Sequence, residues 1–83
     1  GYTIVQDGSA RGLLLNGKIS FFTQKNWDTF APIGPAITTA DEIADPHDLQ
    51  VRLWANGELR QDYNTSDMAH RIPTLIAKAS AYN

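Results

Sequence analysis

Leu49–Tyr63 reads LQVRLWANGELRQDY, and this stretch decides the fold class. Leu49, Val51 and Leu53 alternate with Gln50, Arg52 and Trp54, the period-two pattern of a half-buried strand. Asn56-Gly57 follows, a pair that tolerates the positive φ angles a tight type I′ hairpin turn needs. Glu58–Tyr63 is then the return strand. A strict two-residue loop pairs Leu53 with Arg60 and Val51 with Asp62, setting apolar against charged side chains on one face. One extra residue near the turn, a β-bulge, shifts the return strand and removes the conflict. The sequence therefore predicts a hairpin whose register stays open between the strict pairing and the bulged one.

Working outward, Tyr2–Val5 (YTIV) is β-branched and aromatic and reads as a strand that delivers Asp7 at its end. Ser9 suits the cap of a short helical turn through Leu15, stopped by Asn16-Gly17. Ile19–Thr23 reads as a second short strand. Ala31–Pro35 (APIGP) reads as a rigid turn, and Ala36–Thr39 as a brief strand. Asp41–Asp48, polar and containing Pro46, reads as a loop with one helical turn. Asn64–Asp67 supplies capping residues, and Pro73 opens a helix over Pro73–Ala81 with Leu75, Ile76 and Ala79 on its buried side. The expected class is α+β and β-rich, with a hairpin and one C-terminal helix.

Eighty-three residues allow one small domain, spanning 1–83. A chain of this size buries only about 60–65% of its unfolded surface. With no cysteine, neither a disulfide nor a thiolate metal site can staple it, and a reducing compartment is expected. Seven scattered basic residues and a net charge of −2 argue against a nucleic-acid surface, which needs a basic stripe. Apolar runs are only a few residues long, so no membrane span is expected. No basic region precedes an apolar run at the N-terminus, so no signal peptide is expected either. These features give the expectation of a soluble, cytoplasmic domain.

Several residues carry chemistry. Asp7, followed by Gly8, offers an oxygen donor of the kind hard cations take, although Asp-Gly is also an ordinary turn pair. Arg11 stands four residues on, and Lys25 and Thr29 precede the Pro-Gly turn. Gly12–Lys18 (GLLLNGK) imitates the start of a phosphate loop. Ile19 stands where a hydroxyl must hold Mg²⁺, however, and three leucines make a poor phosphate cradle. Asn64-Thr65-Ser66 is formally a glycosylation sequon but reads better as a cap. His70, beside Arg71 and near Asp67, reads as a surface residue. Trp54 opposite Leu59 reads as cross-strand packing, whereas Trp27 sits inside the Lys-Thr motif.

GYTIVQDGSAR (1–11), QKNWDTFAPIGP (24–35), ITTADEIADPHDLQVRLWANGELRQDYNTSDM (37–68) and HRIPTLIA (70–77) together resemble the central segment of the fumarylacetoacetate hydrolase family. That family's usual wording is close to GYT-x-x-NDVSARD…GKSFDTF-x-PxGP. The resemblance implies part of a β-roll core and a metal-dependent enzyme for C–C hydrolysis, isomerisation or decarboxylation of acylpyruvate-like or β-diketo acids. By the same resemblance, Asp7 binds a divalent cation (Mg²⁺, or Mn²⁺ or Ca²⁺), Lys25 and Thr29 line the metal site, Lys25 is catalytic and Arg11 holds the substrate. An Arg fork does grip a carboxylate bidentately, and a Lys with a metal stabilises an enolate. The chain departs from the pattern at Gln6 for Asn, Gly12 for an acid, Leu14 for Gln, and Gln24-Lys25-Asn26-Trp27 for Gly-Lys-Ser-Phe.

The family's Glu-x-Glu metal pair, its upstream general-base His and its TGTP-type loop have no counterpart in these residues; His47 and His70 do not match that base. Asp7 alone is one of the roughly six oxygens an octahedral Mg²⁺ uses. The leading expectation is therefore a truncated family core, not catalytic as an isolated chain. Such a core would act as an interaction or oligomerising unit, a homodimer or bound to a chain supplying the missing strands. The alternative is one part of an active metal-dependent enzyme. A third reading is an anion site kept by Arg11 and Lys25 without turnover.

Overall fold

The computed structural model describes residues 1–82. These form a strand-rich α+β structure of three two-stranded antiparallel sheets and two helices, the longer one C-terminal. They divide into two compact units, Gly1–Glu42 and 43–82.

In the first unit, β1 (Tyr2–Val5) pairs with β4 (Ile33–Thr38). Val5 lies opposite Ile33 and Ile4 opposite Gly34, and the register then slips before Tyr2 meets Thr38. Pro35 cannot donate to a ladder and falls in this slip, where proline is tolerated. The Gly34–Pro35 peptide is cis. The APIGP segment is thus not a free turn: most of it is drawn into β4, which starts three residues before the strand expected at Ala36–Thr39. A single 3-10 turn, Ala40–Glu42, follows. There the Thr39 side chain and the Asp41 backbone amide hold the Asp41 carboxyl below its usual range.

Two expectations between β1 and β4 are overturned. Ser9–Leu15 is not a helical turn; instead β2 (Leu14–Leu15) and β3 (Lys18–Ile19) form a small hairpin. Asn16-Gly17 closes it with φ of 52° and 73°, the positive angles of a type I′ turn rather than a helix stop. Of Ile19–Thr23, expected as a strand, only Ile19 is in one, as the end of β3. Ser20 caps a short helix, α1 (Phe21–Lys25), by accepting from the Thr23 amide at 3.5 Å, and the Thr23 hydroxyl returns a bond to the Ser20 carbonyl at 3.1 Å.

In the second unit, β5 (Gln50–Ala55) and β6 (Glu58–Asn64) form the predicted hairpin, turning at Asn56-Gly57. Of the two registers the sequence leaves open, the bulged one is present. Trp54 faces Leu59, after which Arg60 is passed over and Leu53 meets Gln61, Arg52 meets Asp62, and Val51 meets Tyr63. The slip replaces apolar-charged pairs with an Arg52–Asp62 ion pair at 3.2 Å, and Gln50 also donates to Asp62. Asn64 caps the next turn, Thr65–Asp67, by accepting from the Ser66 amide. Its amide donates to Asp48, so the sequon residues are spent on structure. Thr65 bonds to Pro46 and Leu49.

Helix α2 (Ile72–Ser80) has proline in its first turn as expected, but Arg71 at its start makes no side-chain cap. His47 takes that role: its Nε2 accepts from the Ile72 amide at 3.1 Å. Removing the imidazole leaves that amide without its acceptor. His47→Ala is expected to speed Ile72 amide hydrogen exchange about fivefold, the worth of one ordinary hydrogen bond; an unchanged rate would show the cap to be idle. The expected buried side of α2 is not buried, since Leu75 and Ile76 are exposed. Among the described residues no hydrophobic side chain is buried and 17 large ones are exposed. None of their helices is long and apolar enough to cross a membrane.

Candidate functional site

The backbone beyond β1 is led by short contacts. The Gln6 amide donates to the Pro32 carbonyl at 3.2 Å and the Gly8 amide to the Gln6 carbonyl at 3.1 Å. Gly8 lies against the Phe30 ring, where a Cβ would come within 3.3 Å of Cγ. This path brings Asp7 and Ser9 to the end of α1, where Lys25 is the last helical residue.

Lys25 Nζ donates to Asp7 Oδ2 and to Ser9 Oγ, each at 2.6 Å. The Ser9 hydroxyl donates onward to the Asp7 carbonyl at 3.3 Å. An ammonium carries three donors, and two are used here. Among the described residues the third meets no protein acceptor. Lys25 is 31% exposed and Asp7 78%, so the ion pair contributes at most about 1 kcal/mol to stability. Its consequence lies in aiming the ammonium.

Of the four residues singled out from sequence, Asp7 and Lys25 are brought together. Arg11 stands in an exposed turn and Thr29 in the segment after α1; neither forms a hydrogen bond or ion pair among the described residues. Thr29 has φ of 69°, an uncommon conformation for a β-branched residue. The turn around it closes through the Phe30 amide to the Trp27 carbonyl at 3.0 Å. Trp27 itself donates from Nε1 to the Thr23 carbonyl at 2.6 Å, which anchors the indole to α1.

Sequence reasoning assigned Ser9 to a helix cap and so missed its bond to Lys25. It also missed Gln24, the one buried polar residue among those described, whose side chain reaches the Leu13 carbonyl.

The metal expectation can be tested on the donor set. Asp7 is a single carboxylate with Oδ2 facing Lys25, and no group of three or more His, Cys, Asp or Glu stands together among the described residues. These residues do not by themselves fit a divalent-cation centre, which takes about six oxygens. Millimolar Mg²⁺ or Mn²⁺ is therefore expected to leave the thermal melt of the chain, and of Asp7→Ala, unchanged. A bound ligand at about 100 times its Kd would add roughly 2.7 kcal/mol, so a metal-dependent rise abolished by Asp7→Ala would contradict this.

Comparison with known proteins gives a consistent result. The family model "Fumarylacetoacetate (FAA) hydrolase C-terminal" matches residues 1–83. A mitochondrial oxaloacetate tautomerase of Xenopus laevis is 45% identical over 84 residues, covering 99% of this chain and 26% of the relative. A mitochondrial oxaloacetate tautomerase of Homo sapiens is 43% identical with the same coverage. A 4-hydroxyphenylacetate degradation bifunctional isomerase/decarboxylase of Salmonella dublin is 39% identical over 82 residues, 99% of this chain and 19% of the relative. The chain thus spans about a quarter or less of the length of these relatives. No solved structure matches. With its whole length matched, the chain belongs to the fumarylacetoacetate hydrolase family.

Proposed function

We propose that this chain supplies the enolate-binding part of an active site for 2-oxo acids of the oxaloacetate type, and that the 83 residues alone do not turn over. The observation that carries the reading is Lys25 Nζ, fixed on Asp7 and Ser9 with one donor left over. Keto–enol interconversion and decarboxylation of such acids both build negative charge on a carbonyl oxygen. A preoriented N–H aimed at that oxygen stabilises the charge where it develops. Arg11, exposed and without a protein partner among the described residues, suits a substrate carboxylate. The names of relatives that cover 99% of this chain support the substrate class. A base for the carbon-bound proton, and any metal, must come from residues other than these.

The test is transplantation. Placed in the matching segment of the Xenopus laevis tautomerase, these residues are expected to keep oxaloacetate enol–keto exchange within about tenfold of the host, while the chain alone gives no acceleration. A dead but folded graft would overturn the reading.

A second reading, self-association of the isolated chain, is favoured by a separate observation. Val5 and Ile33 face each other across β1 and β4 yet are 58% and 73% exposed. Apolar sheet faces of this kind are interaction surfaces.

A further inference from the structure

Gln24 stands immediately before Lys25 and is only 7% exposed, against half or more for most hydrophobic side chains around it. It holds the facing loop at two points. Its backbone carbonyl accepts from the Ala10 amide at 2.9 Å, and its side-chain Nε2 donates to the Leu13 carbonyl at 3.2 Å. Ala10 and Leu13 bracket Arg11, and Ala10 follows directly on Ser9. Where a fold has so little buried, a buried amide with both ends of a loop tied to one residue is a fastening.

We infer that Gln24 is a positioning residue: it clamps the Asp7–Leu13 loop onto α1 so that Asp7 and Ser9 meet Lys25 Nζ. The clamp explains why two loop residues, an exposed Asp7 and a half-buried Ser9, hold one ammonium at 2.6 Å. Entropy opposes such an arrangement in an unfastened loop. Ser9 is the second member of the device. It accepts from Lys25 and donates to the Asp7 carbonyl, so its hydroxyl locks the direction of the ammonium while closing its own turn. Ser9 is not a nucleophile here, because its oxygen accepts a hydrogen bond from Lys25 and its own proton points to a carbonyl. The inference rests on the reading of Lys25 as the functional group, but its test does not use turnover.

The experiment is amine labelling of the full chain with an acylating ester, read peptide by peptide. Gln24→Met keeps the side chain's length and removes the Nε2 donor. Lys25 is expected to label about tenfold faster in Gln24→Met and in Ser9→Ala, the factor for one lost charge-assisted hydrogen bond. Lys18 and Lys78 should label at unchanged rates. An unchanged Lys25 rate in Gln24→Met would overturn the inference. Should Gln24→Met lose its circular dichroism, the unsubstituted chain still decides. Its Gln24 side-chain amide protons are expected to exchange about fivefold more slowly than those of Gln6 and Gln61; equal rates would overturn the clamp. A labelling change with an inactive graft would leave the clamp standing and count against the catalytic reading alone.

Discussion

At micromolar concentration the isolated 83-residue chain is expected to run as a dimer or larger in light scattering. The reason is energetic. Each large apolar side chain left in water forgoes roughly 1.5–3 kcal/mol of burial free energy, and 17 such residues are exposed among those described, with none buried. Conformational entropy costs on the order of 1–2 kcal/mol per ordered residue and has no internal core to oppose it. Association is the accessible remedy, and a two-fold arrangement lets one face cover its own copy. The β1–β4 face is the natural place to test this. Val5→Lys combined with Ile33→Lys puts two cations on directly opposed positions of that sheet, and should shift the chain to monomer with loss of ordered structure. A monodisperse, cooperatively folded monomer of the unsubstituted chain would contradict the expectation.

The second large effect concerns Lys25. In a graft into the Xenopus laevis tautomerase, Lys25→Met is expected to lower kcat by about 10²–10³, the usual loss when one donor to a developing oxyanion is removed. Methionine keeps the length of the stem and drops the charge, so the loss reports the ammonium. Asp7→Asn should cost about tenfold in kcat, because Lys25 keeps its charge but loses its fixed aim. Arg11→Ala should act differently: KM rises by about 10–100-fold, with kcat less affected, if the guanidinium holds a substrate carboxylate. Equal loss of kcat at all three positions would mean that the segment had misfolded in its host.

How much of this was legible beforehand depends on how far apart the deciding groups lie. The β5–β6 hairpin could be read because the evidence is local: Asn56-Gly57 fixes the turn, while the clash of Leu53 with Arg60 raised a bulge without deciding the register, which the pairing of Leu53 with Gln61 settles. Asn16-Gly17 was ambiguous, since a pair that tolerates positive φ ends a helix as readily as it turns a hairpin. Only pairing of Leu14 with Ile19 decides between them. Phe21 and Phe22 suggested a strand, and the stronger signal was Ser20 as a cap with Lys25 in the last turn. The buried face assigned to α2 failed for a different reason. Periodicity says which residues share a face, not whether anything covers it.

At the site, Asp7 and Lys25 could be paired from the motif. Ser9 and Gln24 could not, because their bonds span 16 and 11 residues and depend on the path of the intervening loop. His47 could not be read as a cap for the same reason, its partner being 25 residues away.

The most direct test of the role given to Lys25 is the ¹⁵N signal of its ammonium in the graft, recorded as oxalate, a mimic of the enol of a 2-oxo acid, is added. The account predicts that the signal shifts and its protons exchange more slowly as oxalate saturates, because the third N–H acquires a partner. Oxalate that inhibits the graft while leaving the Lys25 signal unmoved would contradict it.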